Sequence, residues 1–205
     1  MKYRLTDETM KVGTVILHRI GCVEAFADVK AGDKGGWIEK ESNLSQENGA
    51  WVYDEARVFG NARVRNEAKV REHAKVWGNA EVCGNAEVYG NAWIYGDARV
   101  FEYASVFDYA EILDDAKVYG NAEVKGYARI RGNAKISQMS DYIVFKNSFS
   151  SGRYFTWTRS DNMWTVGCFH GTGEELIEKA RQDSEKKARC YALYVKLVED
   201  LQKIE

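Results

Sequence analysis

The stretch Val82-Cys-Gly-Asn-Ala-Glu-Val88-Tyr-Gly-Asn-Ala-Trp-Ile94 says one phrase twice, and variants of that phrase run through the middle of the chain. Ala recurs at every sixth position from Ala50 to Ala134, fifteen times, and two residues after each Ala stands Val or Ile, from Val52 to Ile136. The unit is Ala-x-Val-x-Gly-Asn, with its last pair varied to Gly-Asp, Asp-Asp or Glu-Tyr. Side chains alternate faces in an extended strand, so Ala and Val share one side and the two x residues the other. Six residues are too few for a helical hairpin but suit a short strand and a tight corner, since Gly and Asn tolerate positive φ. Strands turned the same way at every corner wind into a parallel β-helix, filled by Ala and Val, with rungs about 4.8 Å apart. Burying fifteen Val or Ile side chains contributes about 1.5–3 kcal/mol each before the ordering entropy is subtracted. The repeat therefore predicts a rigid rod over residues 48–138 whose two ends expose unpaired edges and need caps.

Composition agrees with a folded chain: 45% of its 205 residues are hydrophobic. Lys plus Arg number 29 against 31 Asp plus Glu, so no global field marks bulk nucleic acid as a partner. Neither a basic-then-apolar leader nor an apolar run of about 18 residues is present, and a cytoplasmic protein without membrane contact is expected. Cys22, Cys83, Cys168 and Cys190 are scattered without a CxxC pair and read as free thiols. Pro is absent, and no Thr lies between Thr14 and Thr156.

If a coil takes three hexads, outward residues eighteen apart stack in columns. One column reads Phe59, Trp77, Tyr95, Leu113, Arg131, and beside it run Arg57, Lys75, Trp93, Glu111, Arg129. Four large apolar residues in line on an outer face call for a cover. Either neighbouring Lys and Arg stems shield them, or a partner does.

Outside the repeat, residues 1–47 read as an N-terminal β cap. Met1–Leu5 and Thr14–Ile20 are strand patterns, and Ala31–Ile38 is a Gly-rich loop leading into the rod. Gly32-Asp-Lys-Gly-Gly36 lacks the GxxxxGK[ST] spacing of a phosphate loop and reads as a turn. Residues 139–205 change character. Asp141–Asn147, Arg153–Arg159 and Met163–Phe169 are three antiparallel strand patterns, and Thr172-Gly-Glu-Glu175 is a capping box opening one or two helices over 173–204. Leu176, Ile177, Ala180, Ala188, Tyr191, Val195 and Val198 fall at core spacing, with a polar break near Gln182–Ser184. Such a small module is expected to pack on the last coil or on a neighbouring subunit.

The order aliphatic-x-x-x-small-x resembles the hexapeptide-repeat family, which implies a left-handed, triangular β-helix of about five 18-residue coils, although Gly here comes one position later than in many relatives. "YRLTDET" (3–9), "VILHRI" (15–20), "DVKAGDKGGWIEKESNLSQ" (28–46) and "WVYDEARVFGNARV" (51–64) together resemble the YdcK-type hexapeptide-repeat proteins, common in phages and prophages. That resemblance covers about residues 3–138. It implies a mainly β architecture and a phage or prophage origin, and carries over no catalytic residue. Because hexapeptide-repeat proteins commonly trimerise, it also implies self-association through Phe59, Trp77, Tyr95, Leu113 and the adjoining Trp93.

Chemistry has few handles in this sequence. Hexapeptide-repeat acyltransferases use a His as general base, and His18, His73 and His170 are the candidates. His73, at a corner in Arg71-Glu-His-Ala74, reads as a solvated replacement for Gly-Asn, and the fifteen hexads carry no insertion to form an acyl-carrier pocket. Three histidines in three separate segments do not make a zinc site. A rod without Thr shows no ice-binding ladder. His170 precedes a helix start whose Glu174 and Glu175 would repel a phosphate. The strand carrying Arg153, Phe155, Trp157 and Arg159 alternates rings with guanidinium groups, which suits base stacking and phosphate binding, or packing of that same face against the helix. The expectation is a non-enzymatic, homo-oligomeric binding or scaffolding protein needing no cofactor. Two alternatives stay open: capture of a small anionic, nucleotide-like signal or a host protein in phage counter-defence, and an acyltransferase-like enzyme.

Overall fold

A computed structural model describes residues 1–204. β1 (Tyr3–Val12) and β2 (Val15–Cys22) form an antiparallel hairpin, and β3 (Lys34–Ile38) adds to its edge. Fifteen two-residue rungs follow, β4 to β18, the first Trp51–Val52 and the last Lys135–Ile136. Every third rung pairs in parallel, so that Val58 lies beside Val76 and Val88 beside Val106, and three five-rung faces enclose the interior. Each of the fifteen Ala and fifteen Val or Ile of the hexads is buried, as the two-residue alternation requires.

At each corner the residue two after the aliphatic position has positive φ, from Gly60 (68°) to Gly132 (66°). Six corners place Asp54, Asn66, Glu72, Glu102, Asp108 or Asp114 there instead, at φ between 51° and 61°. Their side chains accept the backbone N–H of the corresponding corner one coil on: Glu72 from Gly90 at 3.1 Å, Glu102 from Gly120 at 2.8 Å and Asp108 from Gly126 at 3.0 Å. The late Gly of the hexad is thus the left-handed corner residue, and where it is missing a hydrogen bond offsets the steric cost of a Cβ.

The ladder has one direction. Trp51 N–H donates to Ala68 O, Arg57 N–H to Ala74 O, and so on to Tyr119 N–H and Ile136 O. The first coil is therefore left with carbonyls to satisfy and the last with N–H groups. Donors crowd the first end: Lys2 Nζ reaches Glu47 O, Asn48 O and Ala50 O at 3.3, 3.1 and 2.8 Å, and Asn43 Nδ2 reaches Gly60 O and Ala62 O. Acceptors crowd the other. Thr156 Oγ1 takes Arg129 N–H at 2.9 Å, Ser160 Oγ takes Lys135 N–H at 2.7 Å, and Asp141 Oδ2 takes the N–H of Ser137 and Gln138 at 2.7 and 3.1 Å.

The winding begins earlier than the hexads do. β3 runs parallel to Arg57–Val58, and Leu44 bridges Val64, so residues 34–44 already form part of a coil. Gly35 and Gly36 belong to this strand, which corrects their reading as a turn. A Cβ on Gly35 would lie 2.6 Å from the Ile20 side chain and the Trp51 ring, and one on Gly36 would lie 2.7 Å from Ala56 O. The space they leave lets Trp51 turn inward, buried edge-to-face against Tyr3 and Phe26.

The C-terminal module covers the last coil of its own rod. It has four antiparallel strands rather than three: β19 (Tyr142–Lys146), β20 (Tyr154–Thr158), β21 (Met163–Val166) and the short β22 (Phe169–Gly171). α1 (Gly173–Arg181) starts at the expected capping box, Thr172 Oγ1 accepting from Glu175 N–H, and α2 (Glu185–Gln202) follows after the break at Gln182–Ser184. Leu176, Ala180, Ala188, Tyr191, Val195 and Val198 are buried, and Ile177 packs at the margin.

Candidate functional site

One face of the rod carries its chemistry in three columns. The middle column is Arg57, Lys75, Trp93, Glu111 and Arg129, whose rungs pair directly. Along one corner stand Glu55, His73, Asn91, Tyr109 and Tyr127, each just before a hexad Ala. The other corner holds Phe59, Trp77, Tyr95 and Leu113. Two hollows of about 490 and 410 Å³ lie on this face and share Tyr109, Glu111 and Tyr127, so they form one furrow running from Glu55 to the C-terminal module at Arg153, Tyr154 and Cys168.

Both rims are aromatic stacks. Phe59, Trp77 and Tyr95 lie nearly parallel, with centroids 5.9 and 4.5 Å apart. Tyr109, Tyr127 and Tyr154 do the same at 5.1 and 4.3 Å, which carries the stack from rod to module, and Lys146 Nζ caps Tyr154 at 4.2 Å. Rings stacked in this way present edges, not faces, to solvent. Trp93 differs: it is 39% exposed, edge-on to Trp77 at 5.7 Å, with Lys75 Nζ 4.9 Å from its centroid.

The furrow changes in charge along its length. Toward the N-terminal end Arg57 and Lys75 make no ion pair among the described residues. Toward the C-terminal end Arg129 is ion-paired, its Nε 3.0 Å from Glu111, with one terminal nitrogen donating to Gly167 O at 2.7 Å and the other to Tyr95 OH at 3.3 Å. Burial raises the Tyr95 hydroxyl pKa, so it stays a neutral donor to Glu111 at 3.3 Å. This network fixes the module to the rod.

The other residues singled out from sequence fall differently. Leu113 is buried within the chain, so it is no part of an exposed ladder. Phe155 and Trp157 are buried under the helices, Phe155 packing on Tyr191 at 4.6 Å, and Trp157 Nε1 donates to Asn162 at 2.9 Å. They cannot stack a ligand from solvent, which corrects that expectation: the strand's ring-bearing face is core. Arg153 is exposed at the furrow's end, and Arg159 is half-buried. His170 is half-buried against the corner at Gly132, its Nδ1 3.1 Å from Thr165 Oγ1. Burial, helped by Arg131, lowers its pKa. It is a docking contact. His73 is exposed on the furrow, its ring making no hydrogen bond among the described residues. Among the described residues no three His, Cys, Asp or Glu gather to hold a metal, and no helix is long and apolar enough to cross a membrane.

Fifteen Ala-x-Val hexads wound with three faces give this chain the fold of a parallel β-helix built from six-residue repeats. No protein-family model matches the chain. Among curated proteins it is similar to the "Uncharacterized acetyltransferase YdcK" of Escherichia coli (strain K12), 42% identical over 62 residues, 26% of this chain and 19% of that protein. The YdcK-type resemblance read from the sequence is borne out. The match spans about a fifth of the length of that relative.

Proposed function

We propose that the chain is a non-enzymatic, homo-oligomeric binding and scaffolding rod, phage or prophage encoded, that works through the furrow face in the host cytoplasm. The observation that carries this reading is Trp93, exposed at 39% in the middle of a face whose rims are already stacked. A large apolar ring held rigid on a flat rung suits burial against a second rod. Arg57, Lys75 and Arg153 suit a small anionic ligand or an acidic host surface lodged between the rods, which is the counter-defence form of the same reading. The phage setting rests on the YdcK-type resemblance alone.

Trp93→Glu and Trp77→Glu are expected to lower the assembly mass measured by light scattering while leaving the fold intact. An unchanged mass would overturn the rod-face interface. Thermal-shift measurements with linear and cyclic nucleotides test capture, and a flat response across the panel would leave protein partners only.

A second reading is favoured by one observation: His73 lies on the furrow, and the similar curated protein is called an acetyltransferase. Acetyl transfer abolished by His73→Ala would establish it. Against it, no carboxylate among the described residues is hydrogen-bonded to the ring to orient it as a base.

A further inference from the structure

α2 is apolar on two sides. Ala188, Tyr191, Val195 and Val198 face the module's sheet and are buried. On the opposite side Leu193, Leu197 and Leu201 recur one helical turn apart, and they are exposed by 70%, 46% and 41%, with Ile204 beyond them at 80%. Single exposed leucines are ordinary, but a row at i, i+4 and i+8 on the solvated side of a helix is the pattern of a helix-packing seam. None of the three contributes to either buried core of this chain.

The charges beside the stripe state which occupant fits. Lys186 and Arg189 flank its first half, and Asp200 flanks its second half on the same side, about three turns beyond Arg189. When two copies of a helix pack antiparallel about a two-fold axis, like flanks meet. Leu193 of one copy then lies against Leu197 of the other, and Arg189 comes beside Asp200 twice. Parallel packing would bring opposite flanks together and lose both pairs. The ion pairs these groups make within the chain are exposed ones, Arg189 with Glu185 at 3.6 Å and Asp200 with Lys203 at 2.9 Å. Such pairs are weak and exchange readily for an intermolecular partner at the rim of an apolar seam. We propose that the exposed stripe of α2 is an isologous, antiparallel two-fold interface with a second copy of this chain, separate from the furrow face and at the C-terminal end of the rod.

The test is the mass of the full chain by light scattering, with circular dichroism to verify the fold. The double variant Leu193→Glu, Leu197→Glu is expected to halve the mass of whatever assembly the wild type forms. Arg189→Asp alone is expected to shift the dimer toward its halves, and adding Asp200→Arg to restore it, since the swap rebuilds both pairs in the antiparallel register. A wild type whose mass is untouched by the leucine variant overturns the proposal. So does failure of the charge swap to restore the mass, which would show that Arg189 and Asp200 do not meet across the seam and that the antiparallel register is wrong. Trp93→Glu separates this interface from the rod face: if it leaves the mass unchanged while the leucine variant halves it, the rod-face reading falls and the helix interface stands. Combining Trp93→Glu with the leucine variant is expected to give the 23.3 kDa protomer.

Discussion

The Glu102 carboxylate accepts the backbone N–H of Gly120, one coil further along the rod, at 2.8 Å, while Glu102 itself holds φ at 60°. A Cβ in that left-handed region costs roughly 1–2 kcal/mol, and the bond across the coils offsets it. Glu102→Gly loses the bond and the strain together, whereas Glu102→Ala loses only the bond. Chemical denaturation should find the Ala variant less stable than the Gly variant by about 1 kcal/mol. Equal stability of the two would mean that the corner carries no strain.

Lys2 lies at the carbonyl end of the ladder, buried, with Phe26 4.8 Å from its ammonium. Burial pushes its pKa from 10.5 down to about 8, against the weaker pull of Glu67. Between those two values the unfolded chain holds a proton that the folded chain has shed, so this group's contribution to stability rises with pH across that window. The melting temperature of the wild type relative to Lys2→Met should therefore increase from pH 7.5 to pH 10. A constant difference would show that Lys2 keeps its ordinary pKa in the fold.

Asp141 closes the opposite end. Burial opposes its charge, but the donors of Ser137 and Gln138 outweigh that and hold the carboxyl below its ordinary pKa. Asp141→Ala orphans the N–H groups of Ser137 and Gln138, with an expected loss of about 1–3 kcal/mol measured by urea unfolding. The stabilisation is present above the ordinary carboxylate pKa and is lost as pH falls through the folded value.

His170 titrates with the sign of a buried base. Its lowered pKa means that below the ordinary histidine value the unfolded chain takes up a proton the folded chain refuses, so acid weakens the docking of the module on Gly132. Between pH 7.5 and pH 5.5 the wild type should lose more thermal stability than His170→Gln. Parallel losses in the two proteins would remove His170 as the source.

The rod was legible because a six-residue period with Ala and Val in fixed places calls for short strands and tight corners, while the three-hexad coil that sets the eighteen-residue columns is implied by the hexapeptide-repeat resemblance. The same step applied to the residue before each Ala yields Glu55, His73, Asn91, Tyr109 and Tyr127, so one rim of the furrow is legible in the sequence as a column of its own. The strand at Gly35–Gly36 could not be read that way. It lies before the period begins, and its glycines are needed because Ile20, Trp51 and Ala56 O come within 3 Å of where a Cβ would sit. The burial of Phe155 and Trp157 was one of two outcomes consistent with their alternation, since which face of a strand a helix covers is decided by chain segments thirty residues away. β22 is too short for any pattern, its pairing set by the turn at Gly167, where φ is 59°.

The hairpin packs at one end of the rod and the four-stranded sheet at the other, while the coils between them repeat the same inward Ala and Val or Ile. Adding or removing eighteen residues would therefore keep the inward Ala and Val columns in register, moving the two caps apart or together in steps of about 4.8 Å while altering only the outward residues of the furrow. The number of coils sets the distance between the two caps, and neither cap's hydrogen bonds depend on that number.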